Sequence, residues 1–102
     1  MKQHKTSWYI LHAPETGTKY EEFHKICYEE GVLDKTTKEL ILLALSSVFR
    51  NPDNVEKHLK DAIKAGATKT EITEVLLLAA AESAGSQLTW AGNICCKYIG
   101  QT

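Results

Sequence analysis

Two residues stand out for the chemistry they could do. His58 carries an imidazole, the side chain that gives or takes a proton near neutral pH, and Glu39 is a carboxylate at the mouth of a long apolar run. A second group lies between them. Arg50, the sole arginine, stands beside Asn51-Pro52-Asp53-Asn54 and could clamp a carboxylate through its planar fork, with a solvated surface arginine as the alternative. The turn at Asn51 to Asn54 opens a helix, whose free N–H groups could receive a substrate carboxylate or a developing oxyanion. Asp53 in the same turn argues against tight anion binding. Asn51 is also simply a good helix cap. No Cys-x-x-Cys or His-x-x-x-His spacing occurs, so the expectation for metal ligands is none.

These residues must be positioned by the stretch from Leu33 to Gly66. Asp34-Lys35-Thr36-Thr37-Lys38-Glu39 reads as a helix start, with Asp34 able to cap free N–H groups. From Leu40 to Phe49 only Ser46 and Ser47 interrupt the apolar residues, so this helix should be an enclosed central pillar. The break follows at Asn51-Pro52, with proline suited to the first helical position. The next helix carries Val55, Leu59, Ala62 and Ile63 on one face and ends at Gly66, a natural left-handed cap. His58 falls at the edge of that stripe. Helices joined by so short a loop pack antiparallel, and spacing alone does not make Glu39 and His58 neighbours.

The remaining chain supplies the surroundings. Its 102 residues make one domain, burying roughly two-thirds of the unfolded surface. Twelve basic residues against 13 acidic ones argue against a nucleic-acid surface or a polybasic membrane contact. Apolar runs are too short to span a bilayer, and Met1-Lys2-Gln3-His4-Lys5 is not followed by a signal-peptide core. Cys27, Cys95 and Cys96 are odd in number and include an adjacent pair, which points to reduced thiols and a cytoplasmic location.

Residues 1–17 read as an N-terminal arm whose Trp8-Tyr9-Ile10-Leu11 cluster packs on the body or on a neighbouring subunit. Residues 18–102 read as one domain. Thr18 and Glu21 form a capping-box pattern for a helix to about Glu30, with Tyr20, Phe23, Ile26 and Cys27 inward. His4, His12 and His24 match no motif. Thr68 and Glu71 repeat the capping box, opening a helix to about Ala84 that is apolar nearly all round. Glu82 inside it is either a partly exposed carboxylate or one facing a site or interface. Gly85-Ser86 should break the chain before a last helix from Gln87 to about Ile99. The fold expected is all-α, about five helices plus the arm. A monomer this small cannot easily bury two such apolar helices, so it should be oligomeric.

Leu33-Asp34-Lys35-Thr36-Thr37-Lys38-Glu39-Leu40-Ile41, His58-Leu59-Lys60-Asp61-Ala62 and Ala65-Gly66-Ala67-Thr68-Lys69-Thr70-Glu71-Ile72 resemble the carboxymuconolactone decarboxylase superfamily, which includes the AhpD-like alkylhydroperoxidases. The likeness runs from about Tyr20 to Ile94. It implies an AhpD-like helical bundle assembled as a homo-trimer or a homo-hexamer. The peroxidase branch follows its Glu with Cys-x-x-Cys-x-x-x-His. Here Glu39 takes the Glu position and His58 the His position, but the cysteine positions hold Asn51 and Asn54. An amide cannot attack a peroxide or form a disulfide, since that chemistry needs a thiolate. The decarboxylase branch also lacks the cysteine pair and keeps the His. Trp90 stands where the family often has an aromatic residue or a histidine, so it is a candidate pocket wall, or simply packing.

The resemblance implies catalytic roles for His58 as general acid and for Glu39 as its orienting or relaying carboxylate. Arg50, Asn51, Asn54 and Trp90 become substrate-binding candidates. The leading expectation is a decarboxylase or lactone-acting enzyme on a small organic acid, with no cofactor because the lactone's own conjugation takes the electron pair. The alternatives are a thiol peroxidase, disfavoured by Asn51 and Asn54, and a non-catalytic oligomeric binding protein with a degenerate site.

Overall fold

The computed structural model describes residues 6–29 and 31–100, among which there is no strand. Five helices follow one another: α1 (Trp8–His12), α2 (Pro14–Tyr28), α3 (Lys35–Val48), α4 (Pro52–Lys64) and α5 (Lys69–Ile99). They form two compact units, residues 1–32 and 33–102.

In the first unit α2 begins earlier than the Thr18–Glu21 pattern suggests. Pro14 occupies the first turn, where its missing N–H costs nothing and its fixed φ favours helix, so Thr18 lies inside α2 and caps nothing. Glu21 is engaged elsewhere: its Oε1 accepts hydrogen bonds from Ser7 Oγ (2.8 Å) and from the Tyr9 hydroxyl. The Tyr9 bond, then the Ser7 bond, hold the Glu21 carboxyl below its ordinary range, and the same carboxylate raises the Tyr9 phenol. Thus part of the expected irregular arm is helical and pinned to α2. Gly17 permits the contact, because a Cβ there would meet Tyr9 O at 2.7 Å. Tyr20, Phe23 and Ile26, the expected inward face, are exposed, as is Cys27. α2 ends at Tyr28; Glu30, like Met1 to Lys5 with His4, lies outside the described residues.

In the second unit α3 packs against both α4 and α5, which makes it the pillar its sequence promised. Asp34 caps it, accepting from Thr37 N at 2.8 Å, and that bond lowers the Asp34 carboxyl. Leu43 is fully enclosed, and buried Ser46 satisfies its hydroxyl by donating to Leu42 O at 2.7 Å. Enclosure is nevertheless partial, since Ile41, Leu45 and Val48 are all nearly half exposed.

The turn into α4 is a Schellman motif. Asn51 N–H donates to Ser46 O (3.0 Å) and Arg50 N–H to Ser47 O (3.1 Å), with Arg50 at φ 56°. α4 ends in the same motif, Ala67 N–H to Ala62 O (2.9 Å) and Gly66 N–H to Ile63 O (3.0 Å), with Gly66 at φ 103°. Two equivalent turns thus put glycine in one left-handed position and arginine in the other. The left-handed region costs an L-residue about 1–2 kcal/mol, partly offset by glycine's greater chain entropy. Arg50→Gly should therefore raise the unfolding free energy by about 1 kcal/mol, and Gly66→Ala should lower it by a similar amount. Urea unfolding checks both; a destabilised Arg50→Gly would show that the guanidinium contributes more than its backbone costs.

α5 opens with the capping box read from sequence: Thr68 Oγ1 accepts from Glu71 N (3.1 Å), and Glu71 Oε1 accepts from Thr68 N (2.8 Å). It does not break at Gly85-Ser86 and runs as one helix of 31 residues. Glycine in a helix costs about 1 kcal/mol relative to alanine, whereas restarting a helix costs about 4 kcal/mol for a nucleation constant near 10⁻³. Without a proline the helix continues, and Thr89 Oγ1 donates to Gly85 O at 2.9 Å across the expected break. The count of five is therefore reached with α1 added and two expected helices fused. No residue of α5 is buried.

Candidate functional site

The α3–α4 hairpin brings Glu39 and His58 together. Thr36 Oγ1, near the start of α3, donates to Ala65 O at the end of α4 (2.7 Å), which fixes the antiparallel register. Glu39, about one turn further along α3, is then level with the turn of α4 that spans His58 to Ala62. His58 Nδ1 and Glu39 Oε2 are 2.9 Å apart, and the two residues are only 4% and 6% exposed. His58, placed by periodicity at the edge of the apolar stripe, instead points into the hairpin.

The geometry sets the role of one ring nitrogen. Nδ1 faces the carboxylate, so when the ring is protonated Glu39 accepts the Nδ1 hydrogen and balances the charge. A buried carboxylate on one ring nitrogen also holds the imidazole in one orientation.

Of the other candidates, Asn54 lies one turn before His58 on α4 and is exposed, while Arg50, Asn51 and Trp90 lie apart from the pair. Arg50 and Asn51 are at the opposite end of α3 from Glu39, on the order of 16 Å along the axis at 1.5 Å per residue. Both are exposed, and Asn51 acts as the N-cap of α4, accepting from Asn54 N at 3.1 Å. Arg50 alone among the described non-glycine residues has positive φ, a strain that sequence reasoning missed and that often marks a functional position. Trp90, 60% exposed, lines a groove of about 510 Å³ between α3 and α5 with Leu45, Val48, Ala79, Glu82 and Gln87. Neither Glu39 nor His58 lines that groove. Glu82 is exposed there, facing neither a sealed core nor the histidine.

Asp61 was not singled out by sequence, yet it joins the pair. One ligand atom each from Glu39, His58 and Asp61 lies within 4.8 Å of the other two. Its separation from His58, one helical turn on the same face of α4, was the available signal.

Comparison with known proteins identifies the family. The family model described as the carboxymuconolactone decarboxylase family matches residues 14–94. A curated relative, "Uncharacterized protein 4 in cox locus" from Paracoccus denitrificans, is 40% identical over 62 residues, covering 61% of this chain and 56% of that protein. The chain thus spans little more than half the length of that relative. A crystal structure of a structural-genomics target from Methanobacterium thermoautotrophicum superposes with a TM-score of 0.71 at 30% identity, covering 84% of this chain and 97% of that one. Because the match takes in the whole α3–α4 hairpin with Glu39 and His58, the chain belongs to the carboxymuconolactone decarboxylase family.

Proposed function

We propose that this protein is a cofactor-independent decarboxylase-type enzyme acting on a small organic acid or lactone, with His58 as proton donor and Glu39 as its positioning carboxylate. The observation that carries this reading is the 2.9 Å bond between His58 Nδ1 and Glu39 Oε2. In such a reaction the bond to the departing carboxylate breaks and carbon dioxide leaves. The electron pair enters the conjugated lactone or carbonyl, and the imidazole returns a proton to carbon. Arg50, Asn51, Asn54 and Trp90 remain proposed substrate contacts. For Arg50 the support is its retained backbone strain, and for Trp90 its place in an apolar groove. We further propose self-assembly as a trimer or hexamer, supported by the exposed apolar surface of α5, and a cytoplasmic setting, supported by an odd cysteine count that includes the adjacent Cys95 and Cys96. Among the described residues no helix is long and apolar enough to cross a membrane.

The test is carbon dioxide release from a panel of lactones, carboxymuconolactones and β-keto acids. His58→Gln keeps an N–H for Glu39 but cannot exchange a proton near neutrality, so it should lose about 10²–10⁴-fold in kcat. Turnover equal to wild type would remove His58 from the mechanism. The near-complete burial of His58 favours one other reading, a protein that binds small acids with a sealed, non-reactive pair. It predicts ligand binding without carbon dioxide release across the whole panel.

A further inference from the structure

We infer that Glu39, His58 and Asp61 form a binding site for one divalent first-row transition ion, zinc foremost. Sequence spacing hid it because the ligands come from two helices: Glu39 from α3, His58 and Asp61 one turn apart on α4. Their ligand atoms converge within 4.8 Å of one another. This is more than a patch of surface acid. It includes an imidazole, and two of its three members are more than nine-tenths buried, held by packing before any ion arrives.

The distances suit the chemistry. Ligands placed about 2.0–2.1 Å from a tetrahedral ion lie roughly 3.3 Å from each other. His58 Nδ1 and Glu39 Oε2, at 2.9 Å, need to part only slightly to admit one. The hydrogen now shared between them must leave: on a neutral ring it moves to Nε2, and on a protonated ring it is released to solvent. Asp61 is only half-buried, so it forms the open edge by which the ion enters and where water completes the coordination. Its present partner is weak, Lys57 Nζ at 3.9 Å on an exposed side chain. A divalent ion balances two neighbouring carboxylates better than one solvated ammonium does. One nitrogen and two oxygens are donors that zinc accepts, and zinc stands high in the affinity order of the divalent series.

Binding needs only this geometry, and it holds whether or not the pair catalyses decarboxylation. If it does, ion and proton compete for the same imidazole, and zinc is an inhibitor of the enzyme.

The experiment uses the full chain, stripped with EDTA and dialysed, titrated with Zn²⁺ by calorimetry and with Co²⁺ by visible absorption. One ion should bind per chain, with ligand-field bands and no near-ultraviolet cobalt–thiolate charge transfer. Asp61→Asn, at a side chain 31% exposed, should keep the apo melting temperature and weaken affinity by about 10-fold or more. Glu39→Gln should weaken it further. Absence of binding, equal affinity in wild type and Asp61→Asn, or a thiolate band placing the ion at Cys27, Cys95 or Cys96 would each overturn the site. Inhibition of carbon dioxide release is scored separately, so loss of the enzymatic reading leaves the binding result intact.

Discussion

Glu39→Ala is expected to lower the unfolding free energy by about 3–5 kcal/mol, the cost of stranding one member of a buried, hydrogen-bonded ionisable pair. The reason is asymmetry. With its partner gone, His58 keeps its desolvation penalty at 4% exposure and loses the acceptor that offset it. A domain of this size holds only about 5–15 kcal/mol in all, so the variant sits near the edge of folding. Glu39→Gln keeps an acceptor and should lose only about 1 kcal/mol. The double replacement Glu39→Leu with His58→Leu removes both members of the pair at once and should recover much of the loss. Urea unfolding of wild type, Glu39→Leu, His58→Leu and the double variant gives the coupling, and that of Glu39→Ala and Glu39→Gln the two losses, all at one fixed concentration because the proposed assembly would make apparent stability concentration-dependent. A loss below about 1 kcal/mol for Glu39→Ala would mean the pair contributes little to the fold.

Leu78→Asp should change the assembly rather than the fold of one chain. Leu78 is 72% exposed and Leu77 is 64% exposed, on a helix none of whose residues is fully buried within its own chain. Burying a leucine side chain is worth about 1.5–3 kcal/mol, so several such residues per interface would hold the proposed trimer or hexamer together at micromolar concentration. A charge at position 78 should shift sedimentation to a smaller species with unchanged helical circular dichroism. A wild-type protein sedimenting as a monomer would defeat the proposed assembly outright.

The elements that could be read from sequence are those set by interactions three or four residues apart. Asp34, Asn51 and Thr68 cap helices in the positions their residue types suggest, because the donor each needs lies three residues on. Thr18 and Glu21 carry the same spacing and failed. Pro14 had already started the helix, and the Glu21 carboxylate found Ser7 and Tyr9 from α1. Gly85-Ser86 failed for an energetic reason, a small local cost set against a large cost of renucleation.

The site was legible only in its parts. Glu39 and His58 could be named, but their meeting depends on the register of two helices, which a tertiary contact from Thr36 to Ala65 fixes. No periodicity contains that contact. Arg50's left-handed backbone was equally hidden, because nothing about an arginine announces positive φ.

The fusion of the last two expected helices has a mechanical consequence. At 1.5 Å per residue, the 31 residues of α5 make a beam of roughly 46 Å, and its one glycine-serine step sits in regular hydrogen-bonded turns. A beam with no knuckle cannot fold over cargo lodged beside Trp90. Trp90 and Thr68 thus belong to one uninterrupted ladder of backbone hydrogen bonds, so a tilt of the helix at its tryptophan end would be carried to its start beside the end of α4.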